Sequence, residues 1–133
     1  MSSENRLPRT DAKYGTFRYP PNDQYIGKSL ELYGEWCEAE VSLFKQLVRA
    51  GDTVIDAGAN IGSYTVPLSQ IVGNAGTVYA FEPQAFLASI LSHNIIENEC
   101  NNVRVLTVAL GNHTGSVNLP DFDYFAEYNF GGI

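Results

Sequence analysis

Apolar positions recur at helical spacing from near Glu38 to Arg49, where Val41, Phe44, Leu47 and Val48 share one face and Gly51 follows as a C-terminal stop. Val54, Ile55 and Ala57 then form a nearly continuous apolar run around Asp56. That run predicts a strand over Thr53–Asp56 of the kind that a parallel sheet covers on both faces. Ser63 to Val72 reads as the next helix. Pro67 moves its start toward Thr65, because proline is tolerated only in a first turn. Gly73-Asn74-Ala75-Gly76 ends it, and Thr77–Phe81 is a second strand. The stripe Phe86, Leu87, Ile90, Leu91 and Ile95 predicts a helix from about Gln84 to Asn98. Val103–Val108 reads as a third strand, Gly111 to Gly115 as a turn, and Ser116–Leu119 as a further strand. Helix and strand alternate throughout, so the expected fold is α/β: a Rossmann-like parallel sheet with flanking helices and right-handed crossovers.

The residues before this pattern are less periodic. Positions 1 to about 24 contain Pro8, Gly15, Pro20, Pro21 and several charges, and are expected to be extended or partly disordered. Tyr14, Phe17, Tyr19 and Tyr25 could pack this segment onto the rest. The division that follows is a lead-in over 1–32 and a domain over 33–133.

Composition narrows the class. With 133 residues, 44% of them hydrophobic, the chain can bury one core and is neither disordered nor membrane-spanning. No apolar run approaches the roughly 18 residues that a membrane helix requires. The polar start Met1–Arg6 is unlike a secretory signal. A net charge of −7 argues against a nucleic-acid backbone as main partner, and leaves a cationic ligand welcome. Cys37 and Cys100 lie far apart without metal-like spacing, which fits reduced thiols in a cytoplasmic protein. His93 and His113 have no sequence partners and read as surface or capping residues.

Chemistry concentrates where strands end. Asp56 closes the first strand, the turn Gly58-Ala59-Asn60-Ile61-Gly62 follows, and Glu82 closes the second strand. In an open α/β sheet, ligands bind outside the carboxyl ends of the strands. Glu82 could accept hydrogen bonds from both hydroxyls of a ribose. Gly58 and Gly62 would leave room for a nucleoside or amino-acid moiety, and Asn60 tolerates left-handed geometry. The pattern is Asp-x-Gly-x-Asn-x-Gly rather than the dinucleotide Gly-x-Gly-x-x-Gly. An acid at the strand end sits badly beside a pyrophosphate and well beside an ammonium or sulfonium.

Gly51-Asp52-Thr53-Val54-Ile55-Asp56-Ala57-Gly58-Ala59-Asn60-Ile61-Gly62-Ser63-Tyr64-Thr65 resembles the first motif of class I S-adenosylmethionine-dependent methyltransferases, specifically the FkbM-type family. Val78–Pro83 resembles that family's second motif. Asn102-Val103 through Ala109-Leu110-Gly111, with Gly115, resembles its third strand and the turn beyond, and Gly34-Glu35-Trp36 with Glu38 resembles the segment before the first strand. The resemblance implies methyl transfer from S-adenosyl-L-methionine, usually to a hydroxyl oxygen of a small molecule or carbohydrate. It implies that Asp56, Gly58, Asn60 and Gly62 line the methionine end of the cofactor, that Glu82 holds the ribose, and that Ala109 and Leu110 lie near the adenine. For Tyr64 two readings stay open, a flank of the cofactor and plain packing. No metal is implied, and no catalytic base is identified.

One departure matters. The family continues with further strands and a segment resembling Lys-Ile-Asp-Val-Glu-Gly, which is not found here. The expectation is therefore a fold truncated relative to the seven-stranded class I domain, rich in cofactor site and poor in acceptor site. Its exposed sheet edge would be open to self-association. The alternatives are a non-catalytic nucleoside-binding or partner-completing module and, disfavoured by the turn spacing, an NAD-dependent oxidoreductase. Trp36 and Tyr33 read as packing residues, and Glu35, Glu38 and Glu40 as a solvated face. The aromatic tail Phe122, Tyr124, Phe125, Tyr128 and Phe130 reads as core short of its covering strands rather than as an acceptor loop.

Overall fold

The computed structural model describes residues 7–131. Residues 1–6 of the predicted lead-in fall outside the described residues. A hairpin comes first, β1 (Arg9–Ala12) and β2 (Gly15–Arg18), followed by α1 (Ile26–Tyr33) and α2 (Glu38–Leu47). The alternating unit follows: β3 (Thr53–Ala57), α3 (Thr65–Val72), β4 (Thr77–Phe81), α4 (Ala85–Glu97) and β5 (Val103–Leu106). β3, β4 and β5 form a parallel sheet in that order, with Asp56 beside Ala80 and Ala80 beside Val105. Among the described residues, no helix is long and apolar enough to cross a membrane.

The periodic segments form where their patterns predict, and α3 begins at Thr65, two residues before Pro67. Several expectations fail. The stop after α2 is Val48, which leaves the helix extended, while Gly51 (φ +89°) shapes the turn into β3. β5 ends at Leu106, and no strand forms over Ser116–Leu119, because nothing lies alongside to pair its amides or bury Val117, which is 62% exposed. β3 is not covered on both faces. Asp56, Val78, Ala80 and Val103 face the helices and are buried, while Ile55, at 63% exposure, and Tyr79 look outward from a bare face.

The lead-in is built rather than loose. Phe17, Tyr19 and Leu30 join Val66, Leu87, Ile90 and Leu91 in one core, so no packing boundary falls at residue 32. Two asparagines explain how the hairpin is held. Asn94 on α4, fully buried, accepts the Arg18 amide at 2.8 Å and donates to the Arg18 carbonyl at 3.0 Å. One helical turn later, Asn98 accepts the Thr16 amide at 2.8 Å and donates to the Thr16 carbonyl at 2.7 Å. Side chains four apart on a helix share a face, and alternate strand residues share an edge. The two carboxamides therefore act as a substitute strand for β2.

Candidate functional site

Asp56, Gly58, Asn60, Gly62 and Glu82 all lie at the carboxyl end of the sheet. Asp56 is 8% exposed, and its Oδ2 accepts a hydrogen bond from Thr65 Oγ1 at 2.6 Å. Burial pushes its carboxyl above the usual carboxylate range, opposed by the Thr65 hydroxyl. The chain then turns sharply. Gly58 and Ala59 both donate their amides to the Phe81 carbonyl, at 2.8 and 2.9 Å, which pins the turn to β4. Gly58 holds φ +79°, and a Cβ there would meet nothing within 4 Å, so its side-chain space is open. Gly62 differs from the expectation. A Cβ on it would stand 2.9 Å from Leu91 Cδ1, so this glycine serves the packing of the turn on α4. Asn60 adopts the left-handed conformation at φ +52°. Its side chain is buried and its Oδ1 has no hydrogen-bond partner among the described residues. Asn94 also donates to the Ile61 carbonyl at 2.8 Å, tying this turn to the asparagine pair on α4.

Glu82 sits one residue past β4 and is 4% exposed. Its Oε2 accepts the Asn60 amide and its Oε1 the Gln84 amide, each at 2.9 Å. Burial raises its pKa, the two amides oppose the shift, and the charge of nearby Asp56 adds to it. Asp56 and Glu82 thus face one neighbourhood with the glycine turn between them. The carboxylate is not bare, however. Each oxygen already holds one amide and has its remaining lone-pair capacity for a ligand. Gln84 links it to the aromatic tail: Gln84 Nε2 donates to the Phe130 carbonyl, and Tyr124 donates its hydroxyl to Gln84 Oε1, both at 2.9 Å. Tyr124 stacks on Phe86 with ring centroids 4.4 Å apart, and Phe130 is 1% exposed. Burial, and then the charges of Glu82 and Asp121, raise the Tyr124 pKa.

Ala109 and Leu110 line a shallow cavity of about 260 Å³ with Ala57, Gly58, Phe81, Pro83 and Val108. The open side of Gly58 and the segment after β5 therefore share one hollow. Tyr64 does not join it. Its hydroxyl donates to Glu40 and its ring meets Phe44 edge-on at 5.4 Å, so it packs between α2 and α3, and burial raises its pKa. Glu38 is not merely solvated. It pairs with Lys13 at 2.7 Å and accepts the Tyr14 hydroxyl, which fastens the hairpin turn to α2 and holds its carboxyl below the usual range. Sequence reasoning missed Thr65, Gln84, Tyr124 and Asn94. Only Asn94 carried a signal, as a polar residue four before Asn98 that continues the apolar face of Leu87, Ile90 and Leu91.

Structural comparison places the sheet and helices in the Rossmann-like methyltransferase class. A putative rRNA-methylase from Clostridium thermocellum matches with 25% identity and a TM-score of 0.53, covering 54% of this chain and 39% of that one. A SAM-dependent methyltransferase from Aquifex aeolicus matches with 30% identity and a TM-score of 0.50, covering 65% of this chain and 43% of that one. A SAM-dependent O-methyltransferase from Thermotoga maritima shares the fold at 24% identity and a TM-score of 0.51, covering 55% of this chain and 28% of that one. The chain spans less than half the length of each of these structures. No protein of curated function matches it. The methyltransferase FkbM domain matches residues 56–130, more than half of the chain. The chain belongs to the FkbM methyltransferase family.

Proposed function

We propose that this chain carries the cofactor-binding part of an S-adenosyl-L-methionine-dependent methyltransferase acting on a hydroxyl oxygen of a small molecule or sugar. The observation that carries the reading is the unfilled polar capacity at one sheet edge. The buried Asn60 Oδ1 lacks a partner among the described residues, Gly58 has open space beside it, and Gly58 lines the hollow with Ala109 and Leu110. These residues fit a nucleoside with a cationic appendage. Asp56, Gly58 and Asn60 would hold the methionine end, Glu82 the ribose, and the Leu110 hollow the adenine. Bound there, the cofactor would supply an activated methyl group for transfer from sulfur to the acceptor oxygen, with the hydroxyl proton passing to water. The protein's part is to exclude water and align the two groups. Cys37 and Cys100 are free thiols, consistent with a reducing cytoplasmic setting.

A second reading, a nucleoside-binding module completed by further polypeptide, is favoured by the bare face around Ile55 and Tyr79. Calorimetry with S-adenosylhomocysteine and with NAD tests both readings against an oxidoreductase. Binding of the first ligand alone is expected. Glu82→Ala should weaken it by about 1.5–3 kcal/mol through lost charge-assisted bonds. A folded chain indifferent to S-adenosylhomocysteine would sink the reading, and unchanged affinity in Glu82→Ala would remove Glu82 from the site.

A further inference from the structure

A second cleft, of about 350 Å³, opens between the turn before α1 and the aromatic tail, lined by Gln24, Tyr25, Glu127, Tyr128 and Asn129. It shares no lining residue with the hollow at Gly58 and Leu110, so it is a separate place on the molecule. Tyr25 and Tyr128 are each 51% exposed, which leaves a half-open phenol ring on each wall. Among the described residues the lining holds one carboxylate, that of Glu127, and no cationic side chain. The walls are fastened to each other. The Asp23 backbone bridges to Tyr128, Asn22 donates to the Phe125 carbonyl, and the Tyr128 ring lies 5.7 Å from that of buried Phe130. The start of α1 alone would set a positive helix end beside Tyr25. Buried Asp23 answers it, accepting the amides of Tyr25 and Gly27 at 3.0 Å each. What the cleft presents is therefore aromatic surface and negative charge, on a chain of net charge −7.

We infer that this cleft is a binding site for a small methylated ammonium ion, of which a quaternary ammonium is the simplest form. It is distinct from the cofactor and acceptor sites of the proposed methyl transfer and does not depend on that reading. The face of a phenol ring is electron-rich and attracts a cation that can shed its water. A primary ammonium is compact and strongly hydrated, and gives up that water at high cost. A quaternary one has no N–H to solvate, and its methyl groups can lie directly against the rings. Glu127 adds an opposite charge at the rim, where it draws cations in and turns anions away. Gln24 and Asn129 can bond a hydroxyl carried by the same ligand. The volume is at the small end for ligand sites, which suits a head group and not a long body.

The test is an amide-resolved NMR titration of the 133-residue chain with choline chloride and with tetramethylammonium chloride at fixed ionic strength. The neutral carbon isostere of choline, 3,3-dimethylbutan-1-ol, serves as the control for shape alone. Both cations should shift the side-chain amides of Gln24 and Asn129 and the backbone signals of Tyr25 and Tyr128. The isostere should bind about tenfold more weakly than choline. Tyr25→Ala should weaken choline binding about fivefold, while Tyr25→Phe, which keeps the ring, should stay within about twofold of wild type. Glu127→Gln should weaken it about threefold and reduce its dependence on salt. If Tyr25→Ala fails to fold by circular dichroism, Glu127→Gln, on an exposed side chain, carries the test. Silence from both cations, shifts confined to other surfaces, an isostere that binds as tightly as choline, or a folded Tyr25→Ala or Glu127→Gln chain of wild-type affinity overturns the inference.

Discussion

Asn94→Leu is the substitution whose consequence can be worked most directly. The side chain is fully buried and makes three bonds, to the Arg18 amide, the Arg18 carbonyl and the Ile61 carbonyl. Leucine has the same branched shape with bulkier ends, so none of the effect comes from a cavity. It comes from three backbone groups left without partners. At a net value of about 1 kcal/mol each the loss is about 3 kcal/mol, and more where water cannot reach them. Small domains are stabilised by roughly 5–15 kcal/mol in total, so this is a large fraction. Asn98→Leu should cost less, because its Thr16 bonds are only partly buried and it makes no counterpart of the buried bond from Asn94 to the Ile61 carbonyl. The assay is urea unfolding followed by circular dichroism, with hydrogen exchange read at the Arg18 amide. An Asn94→Leu chain within about 1 kcal/mol of wild type, with Arg18 still protected, would refute the substitute-strand account.

Three further outcomes are expected. Gly58→Val should abolish S-adenosylhomocysteine binding in calorimetry while circular dichroism shows a folded domain, since a branched residue resists φ +79° and fills the open space; wild-type affinity would put the ligand elsewhere. Burial raises the Asp56 pKa, so the folded chain holds that proton more tightly than the unfolded one. Stability from this group is greatest below the ordinary value of about 3.9 and declines as pH rises from there to the raised value. Asp56→Asn should therefore gain on wild type across that window in thermal melts, and a pH-independent difference would contradict the assignment. Ile55→Lys on the bare sheet face should reduce self-association in sedimentation, and a wild-type chain that is monomeric at all concentrations would remove that face as a contact.

The alternating unit was legible because each of its elements is set by local periodicity. α3, β4 and α4 depend on apolar spacing and on proline and glycine at their ends, and they lie within a residue or two of expectation. The positions of Asp56 and Glu82 at one edge followed from topology alone. What was not legible depends on distant partners. The hairpin Arg9–Arg18 is stabilised by Asn94 and Asn98, far along the chain, so its own sequence reads as irregular. Gly62 was read as ligand space because positive φ is common to both roles, and only the position of Leu91 distinguishes them. Ser116–Leu119 has strand-like composition, but composition supplies no neighbour to pair with. Tyr64 was ambiguous for the same reason, until Glu40 and Phe44 settled what it touches.

The tail that Gln84 and Phe86 hold has a consequence for affinity. Segment 112–121 is exposed along its whole length and links the hollow at Leu110 to the tail, while Tyr124 and Phe130 bond to Gln84 two residues past Glu82. A ribose bound at Glu82 as proposed, where the side chain is only 4% exposed, would compete with a group already attached to the protein. Such a competitor is present at an effective concentration set by its tether, of millimolar order for a flexible one. Apparent affinity then equals the intrinsic affinity scaled by the fraction of chains in which the tail is open. Shortening the tether or weakening the Tyr124–Phe86 stack changes that fraction without touching any atom of the ligand site, so the strength of nucleoside binding can be tuned from a stretch of chain that makes no contact with the nucleoside.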